Sequence, residues 1–175
     1  MDQSSEQAFR EYVSARSGAL LRLAVGLCGE RAAGEDLLQS ALTRVFVSWS
    51  RVQRADNIDA YVRRIVVTTH LSQGRRKRVR ELLTFHVHDV QPQEISYGVD
   101  DRQALFPALR RLGPKQRAVV VLRYYEDRPD EEIAALLGCS TATVRSQAMR
   151  ALSQLRELPE LAQYRTTVNS PWETP

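Results

Sequence analysis

The stretch Asp130–Arg156, DEEIAALLGCSTATVRSQAMRALSQLR, decides the fold. Its apolar residues recur at helical spacing on both sides of Gly138, which predicts two helices that meet at that glycine. Glycine tolerates the left-handed backbone of such a turn, and the small Ala134 lets the second helix cross closely. Ser140 follows where an N-cap is needed, so its hydroxyl can accept from the free amides of the second helix. The inward positions are Ile133, Ala134, Leu137, Val144, Ala148, Leu152 and Leu155.

The outer face of the second helix is polar, and no acid occurs between Glu132 and Glu157. Thr, Arg, Ser and Gln side chains can donate to phosphates and contact base edges in a major groove. A plain helical hairpin would explain the apolar spacing equally well, but it would not explain this acid-free polar face. The stretch therefore predicts a DNA-binding helix-turn-helix. Its outward positions are Ala142, Thr143, Arg145, Ser146, Gln147 and Arg150.

The composition is that of an ordinary globular chain of 175 residues, with 43% hydrophobic and 26% charged residues and a net charge of +4. This length allows one large or two small domains. Cys28 and Cys139 are expected to be buried free thiols rather than a disulfide or a metal site, which fits a reducing cytosol. The apolar runs are too short to span a membrane, and the polar start MDQSSEQ is no secretory signal, so we expect a cytoplasmic protein without membrane contact.

The first block of the chain, about residues 5–80, is expected to contain three long helices. The first should end at Gly29, and the second should cover Ala33–Trp49, with Trp49 itself in the core. Asn57 or Asp59 is expected to begin the third helix. Between Tyr61 and Arg80 this helix carries seven Arg or Lys and no acid.

Residues 81–101 lose the helical periodicity and are expected to form a flexible polar linker. Four helices are then expected between residues 102 and 158. Val119–Tyr125 is the only stretch with β character, but the preceding Pro114 favours a helix there. Residues 159–175 contain three prolines and are expected to be a loosely docked tail. The predicted fold class is therefore all-α, with two small helical domains joined by a linker.

The order of these blocks resembles the bacterial RNA polymerase sigma factors of the extracytoplasmic-function group, in particular the actinobacterial sigma-E-like subgroup. The resemblance rests on GEDLLQSALTRVFVSW (34–49), DAYVRRIVVTTHLSQGRRKRVRE (59–81), ALRRLGPKQRAVVVLRYYED (108–127) and the helix-turn-helix. It implies a sigma domain 2 at residues 5–80 and a sigma domain 4 at residues 102–158. The implied partners are promoter DNA and core RNA polymerase, through the clamp helices of the largest subunit and the flap of the second.

In this family the helix that corresponds to residues 34–49 docks on the clamp helices. Its acids could instead merely complement a helix dipole, but that would leave Gln39 and Arg44 unexplained. The resemblance thus implies core polymerase binding by Glu35, Asp36, Leu38, Gln39, Leu42 and Arg44.

The resemblance also implies that residues 59–80 recognise and melt the −10 element, and that residues 51–59 capture a flipped base. A charge run of this kind could instead be only a solvated face. Thr68 stands where the family commonly has Asn, which leaves open which −10 bases are recognised. The implied −10 residues are Arg63, Arg64, Thr68, Arg75, Arg76, Lys77 and Arg78.

For the −35 element the resemblance implies contacts from the second helix of the helix-turn-helix. Gln147 stands where Arg or His is frequent, so the base preference there is open. Arg128 and Pro129 replace the usual apolar residue and capping Ser, and Asp130 is the candidate to take over that cap. The implied contacts are the side chains of Thr143, Arg145, Ser146, Gln147 and Arg150, with the amides of Ser140 and Thr141 facing phosphate.

Two other classes of protein share parts of this pattern. A stand-alone helix-turn-helix regulator that acts as a dimer would explain the second block but would leave residues 1–80 without a role. A metalloenzyme would use His86, His88 and Asp89, but solvated linker histidines explain these better. The sequence suggests no catalytic residue, cofactor or metal site. An anti-sigma factor is common in the family, although no feature of this chain requires one.

Overall fold

The computed structural model describes residues 3–83 and 102–164, and within these ranges the chain is helical and has no strand. The all-α prediction is therefore confirmed. Residues 84–101, which include His86, His88 and Asp89, lie outside the described residues, as do positions 165–175 of the expected tail. None of the described helices combines the length and the apolar character that a membrane crossing requires.

Four helices form the N-terminal half of the described chain. The first ends at Gly29, whose φ of +72° is left-handed, as predicted. The Oδ1 of Asn57 accepts from the amide of Ala60 at 2.9 Å, so Asn57 caps the fourth helix. The helices are α1 (Gln3–Cys28), α2 (Arg31–Val47), α3 (Trp49–Val52) and α4 (Ile58–Leu83).

Trp49 lies in the core of this half, as its spacing predicts, with 2% of its surface exposed. Its ring packs against Phe9 and Tyr12 of α1, with centroids 5.3 and 5.5 Å away. The hydroxyl of Tyr12 donates to Oδ1 of Asp59 at 3.0 Å, and Arg16 forms an ion pair with the same carboxylate at 2.9 Å. These contacts fix the start of α4 on α1.

The C-terminal half of the described chain contains four α-helices, one π-helical segment and one 3-10 helix. Val119–Tyr125 is helical, as predicted from the preceding Pro114, but its last five residues are wound as a π-helix. Tyr124 and Tyr125 are exposed at the end of that segment. The elements are α5 (Arg102–Arg111), α6 (Pro114–Val120), the π-helical segment (Val121–Tyr125), α7 (Asp130–Leu137), α8 (Thr141–Arg156) and a 3-10 helix (Pro159–Tyr164).

The turn between α7 and α8 forms as the sequence predicts. Gly138 ends α7 with a left-handed φ of +64°, and the Oγ of Ser140 accepts from the amide of Thr143 at 3.1 Å. The expectation for Asp130 is wrong, because Pro129 holds the N-cap position and Asp130 is the first residue of α7. The carboxylate of Asp130 binds two arginines instead of the helix amides.

The two halves pack directly against each other, which the sequence did not predict. Arg117 on α6 donates from Nη1 to the carbonyl oxygen of Cys28 at 2.7 Å, at the C-terminal end of α1. Gly26 of α1 faces Val121, and a Cβ at this glycine would lie 3.1 Å from the Cγ1 of Val121. One continuous apolar core therefore extends from α1 to α8.

Cys28 and Cys139 are both free thiols, as expected, although each is only half-buried. The thiol of Cys28 donates to the carbonyl oxygen of Ala33 at 3.4 Å. Burial is the main cause that raises the pKa of Cys28 to about 11, so this thiol stays protonated at neutral pH.

Candidate nucleic-acid and docking surfaces

The outer face of α8 displays Thr143, Arg145 and Arg150, which are all exposed. The hydroxyls of Ser140 and Thr143 lie 2.9 Å apart, so the cap also fixes the Thr143 side chain. Ser146 is half-buried, and its hydroxyl donates to the carbonyl oxygen of Thr143 at 3.0 Å. The start of α8 thus presents a fixed set of small polar groups, flanked by two arginines, at the end of the helix that favours anions.

The side chain of Arg145 is held by an acid on the other helix of the motif. Its Nε lies 3.1 Å from Oδ2 of Asp130, and Nε of Arg123 lies 3.4 Å from Oδ1 of the same carboxylate. Asp130 is 11% exposed in its side chain, whereas Arg145 is 64% exposed. The carboxylate is therefore nearly buried beneath a guanidinium that still faces solvent.

Helix α4 places Arg64, Thr68 and Arg75 on one face, because their spacings of four and seven residues return to the same side of a helix. Arg64 and Arg75 are exposed, and the Thr68 hydroxyl donates to the carbonyl oxygen of Arg64 at 2.8 Å. The backbone of α4 continues as a helix through Arg76, Lys77 and Arg78, whose side chains lie outside the description.

Arg63, by contrast, does not face solvent. It forms an ion pair with Glu126, which follows the π-helical segment, and the two side chains are 17% and 11% exposed. Burial is the main cause that lowers the pKa of Arg63. One of the predicted −10 residues is thus held by the C-terminal half of the same chain.

A cavity of about 440 Å³ lies between α4 and the helix-turn-helix. Thr68 and Arg75 line it from α4, and Gln147 lines it from α8. Gln147 is accordingly half-buried, in contrast to the exposed Thr143 and Arg145. Two surfaces with predicted DNA contacts therefore face each other in this arrangement.

A second cavity, of about 490 Å³, is an apolar groove between α1 and α2. Four of the six predicted docking residues line it: Glu35, Leu38, Gln39 and Leu42. Leu38 forms its buried floor, with 8% of its surface exposed. Glu35 and Gln39 are exposed at its rim. The structure thus brings most of the predicted docking set to one groove.

The two other predicted docking residues lie outside this groove. Asp36 is exposed nearby, and Arg44 donates from Nη1 to the hydroxyl of Thr69 at 3.3 Å. Thr69 is fully buried in α4, so this contact satisfies a polar group in the core. Arg44 therefore contributes to the packing of α2 on α4.

Sequence reasoning missed two aromatic residues of the groove, Phe9 and Phe46. Their rings pack edge to face with centroids 5.1 Å apart, and 43% of Phe46 remains exposed. The only available signal was the position of Phe46, seven residues after Gln39 and hence on the same helix face. Sequence reasoning also missed Glu126, because nothing local relates it to Arg63.

No group of three or more His, Cys, Asp or Glu side chains in the described part of the chain is arranged to hold a metal ion. The described surfaces consist of an apolar groove with a polar rim, a basic helix and a polar recognition helix. Such surfaces are typical of an all-helical protein that binds DNA and a protein partner.

Comparisons with known proteins agree with this class. A family model of sigma-70 region 4 matches residues 102–155. The RNA polymerase sigma-E factor of Streptomyces antibioticus is 39% identical over 157 residues, which cover 90% of this chain and 87% of that protein. The sigma-E factor of Streptomyces coelicolor is 40% identical over 149 residues, which cover 85% and 84% of the two chains.

Solved structures show the same architecture. The sigma factor RpoE of Bartonella quintana, solved in complex with the anti-sigma factor NepR, has a TM-score of 0.70 and 25% identity, and the match covers 86% of this chain and 96% of that chain. CnrH, solved with the cytosolic domain of CnrY, has a TM-score of 0.61 and 19% identity over 93% and 91% of the two chains, so it supports the fold alone.

The chain belongs to the extracytoplasmic-function RNA polymerase sigma factors, and the family resemblance is confirmed. A sigma factor works with core RNA polymerase at promoter DNA in transcription initiation. The relatives therefore do not favour the alternative of a stand-alone dimeric regulator.

Proposed function

We propose that this sigma factor divides its work among three surfaces. The groove between α1 and α2 docks on core RNA polymerase, the basic face of α4 binds and opens the −10 element, and the outer face of α8 recognises the −35 element. Residues 5–80 would then act as the docking and melting domain, and residues 102–158 as the −35 domain. The observation that carries the proposal is that one chain holds both the docking groove and a polar recognition helix.

The docking role is supported by the chemistry of the groove. Leu38 and Leu42 with the exposed edge of Phe46 form an apolar centre, and Glu35 and Gln39 form a polar rim. An apolar centre with a polar rim is the usual composition of a protein interface. Phe46 lines the groove and is 43% exposed, and aromatic residues are enriched at protein interfaces.

The −10 role is supported by the charge and geometry of α4. Arg64 and Arg75 are exposed on one face, and Arg76, Lys77 and Arg78 follow on the same helix. Single-stranded DNA binds to grooves in which successive cations follow its backbone. Arg63 can join this surface only when its ion pair with Glu126 is exchanged for a contact with phosphate.

The −35 role is supported by the start of α8. Thr143, Arg145 and Arg150 are exposed, and Ser140 caps a helix whose N-terminal amides, including that of Thr141, suit a phosphate. Contacts of this kind place the helix in the groove, while side chains further along it contact base edges. Ser146 and Gln147 are half-buried and would take part at the edge of the surface.

The chain supplies promoter recognition and melting, and phosphodiester synthesis is left to the polymerase, so we propose that it is not an enzyme and that it acts in the cytoplasm. The Bartonella quintana relative was solved with an anti-sigma factor. A partner of that class that covers the same surfaces is a candidate regulator of this chain as well. The flap of the second polymerase subunit is the proposed partner of residues 102–158.

The test is in vitro transcription with bacterial core RNA polymerase on a library of promoters. Leu42→Glu places a charge in the docking groove and is expected to weaken core binding by at least about tenfold, a loss of roughly 1.4 kcal/mol. Val47→Glu is the matched control, because it places the same charge on α2 at a side chain that is 82% exposed and does not line the groove. A wild-type chain that fails to bind core enzyme would refute the proposed function.

A further inference from the structure

The carboxylate of Asp130 on α7 links the two helices of the helix-turn-helix through Arg145 on α8, which is proposed to contact the −35 element. Its Oδ2 accepts from Nε of Arg145 on α8 at 3.1 Å, and its Oδ1 lies 3.4 Å from Nε of Arg123. Only 11% of the Asp130 side chain is exposed. A nearly buried carboxylate with a guanidinium at each oxygen has a fixed position, and it fixes the side chains that it binds.

An acid in the first turn of α7 complements the helix dipole, but that role does not require the carboxylate of Asp130 to be nearly buried. Pro129 holds the N-cap position of α7, and no side chain accepts from the amides there. Glu131 and Glu132 already place two exposed acids in the first turn of α7, where they complement the helix dipole. The buried carboxylate at Asp130 is therefore directed away from its own helix and towards α8.

The way in which Arg145 is held leaves its recognition groups available. The bond to Asp130 uses Nε, so the two terminal amino groups of the guanidinium have no part in it. Those two groups form the planar fork that binds O6 and N7 of a guanine in the major groove. With 64% of its side chain exposed, Arg145 is both fixed at its base and accessible at its end.

We infer that Asp130 is a positioning residue for −35 recognition, which holds Arg145 so that its terminal amino groups contact a guanine. The inference rests on the proposed role of α8 at the −35 element and adds the residue that sets base preference there. A free arginine would reach phosphates and several base edges alike, so it would bind DNA without strong discrimination. Fixing the fork selects the one partner that matches its geometry.

The experiment measures base preference in holoenzyme reconstituted from the full chain and core RNA polymerase. The probe is a duplex promoter library with a randomised −35 element, and the readout is the ratio of transcripts from each base at each position. This ratio compares promoters within one protein preparation, so a fraction of unfolded protein cancels from it. Asp130→Asn, Arg145→Ala and the double variant are compared with wild type.

We expect Asp130→Asn to lower the preference for guanine at one −35 position by about tenfold, within the range of a single bidentate base contact. Arg145→Ala should remove the same preference, and the double variant should show no further loss. Glu132→Gln is the matched control. It removes one charge from the same helix at a side chain that is 54% exposed and pairs with Arg128, so the preference should stay at the wild-type value.

Two results would overturn the inference. If Arg145→Ala changes the preference and Asp130→Asn lowers transcription from all promoters equally, Asp130 only stabilises the fold or assists a phosphate contact, and the proposed −35 role of α8 survives. If Arg145→Ala itself leaves every −35 preference unchanged, the assignment of Arg145 to base recognition fails together with the inference.

Discussion

The guanidinium of Arg63 on α4 forms an ion pair with the carboxylate of Glu126, and both side chains are largely buried between the two halves of the chain. Arg63 belongs to the surface proposed to bind the −10 element. Its partner comes from the half proposed to recognise the −35 element. The carboxylate of Glu126 therefore competes with DNA phosphate for Arg63, and binding of the −10 strand requires this contact to open.

Glu126→Gln is expected to raise the affinity of the isolated chain for single-stranded DNA. Removal of the carboxylate frees Arg63 and weakens the contact between the two halves. We expect the dissociation constant to fall three- to tenfold, which corresponds to roughly 1 kcal/mol of binding free energy. Fluorescence anisotropy with a pool of labelled oligonucleotides measures this change.

The control for this variant is again Glu132→Gln, which removes an acid whose ion pair with Arg128 is exposed and stays within the C-terminal half. The affinity of this control variant for single-stranded DNA should rise only by the small amount that the loss of one negative charge gives. An equal gain in the two variants would show that net charge, and not the pair between Arg63 and Glu126, limits binding.

The sequence predicts those parts of the fold that depend only on residues close together in the chain. The turn at Gly138 and the cap at Ser140 were found because a left-handed backbone and free helix amides each require particular residue types. The contact of Asp130 with Arg145 was missed, since it depends on how α7 crosses α8. Sequence reasoning could not pair Arg63 with Glu126 either, because acids and arginines are common and their partners are set only by packing of distant helices.

Reversal of charge at Arg75 and Arg76 is expected to reduce promoter opening without loss of core binding. Arg75 is exposed, and its contact with the hydroxyl of Ser72 at 3.4 Å leaves most of its donors for phosphate. Arg75→Glu with Arg76→Glu should lower open-complex formation by at least about tenfold, because two phosphate contacts become repulsive. Permanganate reactivity of the melted strand measures this step.

The matched control places the same two charges on α1, as Arg10→Glu with Arg22→Glu, where both side chains are exposed and outside the proposed surfaces. Core binding of both double variants is measured by anisotropy. If the variant in α4 loses core binding as strongly as it loses opening, the proposed division between docking and melting is wrong.

Two glycines that end helices are expected to differ in their tolerance of alanine. Gly29 and Gly138 are both left-handed, so alanine costs about 1–2 kcal/mol at either position. A Cβ at Gly138 meets no atom within 4 Å, whereas a Cβ at Gly29 would clash with Arg110 and lie 3.0 Å from the carbonyl oxygen of Phe106. Overpacking should add roughly 1–3 kcal/mol to the cost of Gly29→Ala.

Urea denaturation of both glycine variants measures these costs directly. Because Gly29 lies where α1 meets α5, the larger loss of stability in Gly29→Ala reports the contact between the two halves. Equal losses in the two variants would mean that α5 does not pack against the end of α1 in solution.

His70 is expected to make stability fall as the pH is lowered from 6.5 to about 4. Burial, together with the positive charge of Arg117, lowers the pKa of His70 to about 4, below the ordinary value of 6.5. In this range the unfolded chain binds a proton that the folded chain does not, so each pH unit costs about 1.4 kcal/mol of stability. Above pH 6.5 the residue is neutral in both states and has no effect.

The variant His70→Gln keeps a polar side chain that cannot take up this proton, so its stability should depend less on pH between 6.5 and 4. Other groups contribute equally in both proteins, and the neighbouring Cys28, whose Sγ lies 3.9 Å from Nδ1 of His70, stays protonated in this range because its pKa is raised to about 11. Urea midpoints at pH 7 and pH 5 give the comparison. Parallel losses of stability in the two proteins would show that the folded chain does not lower the pKa of His70.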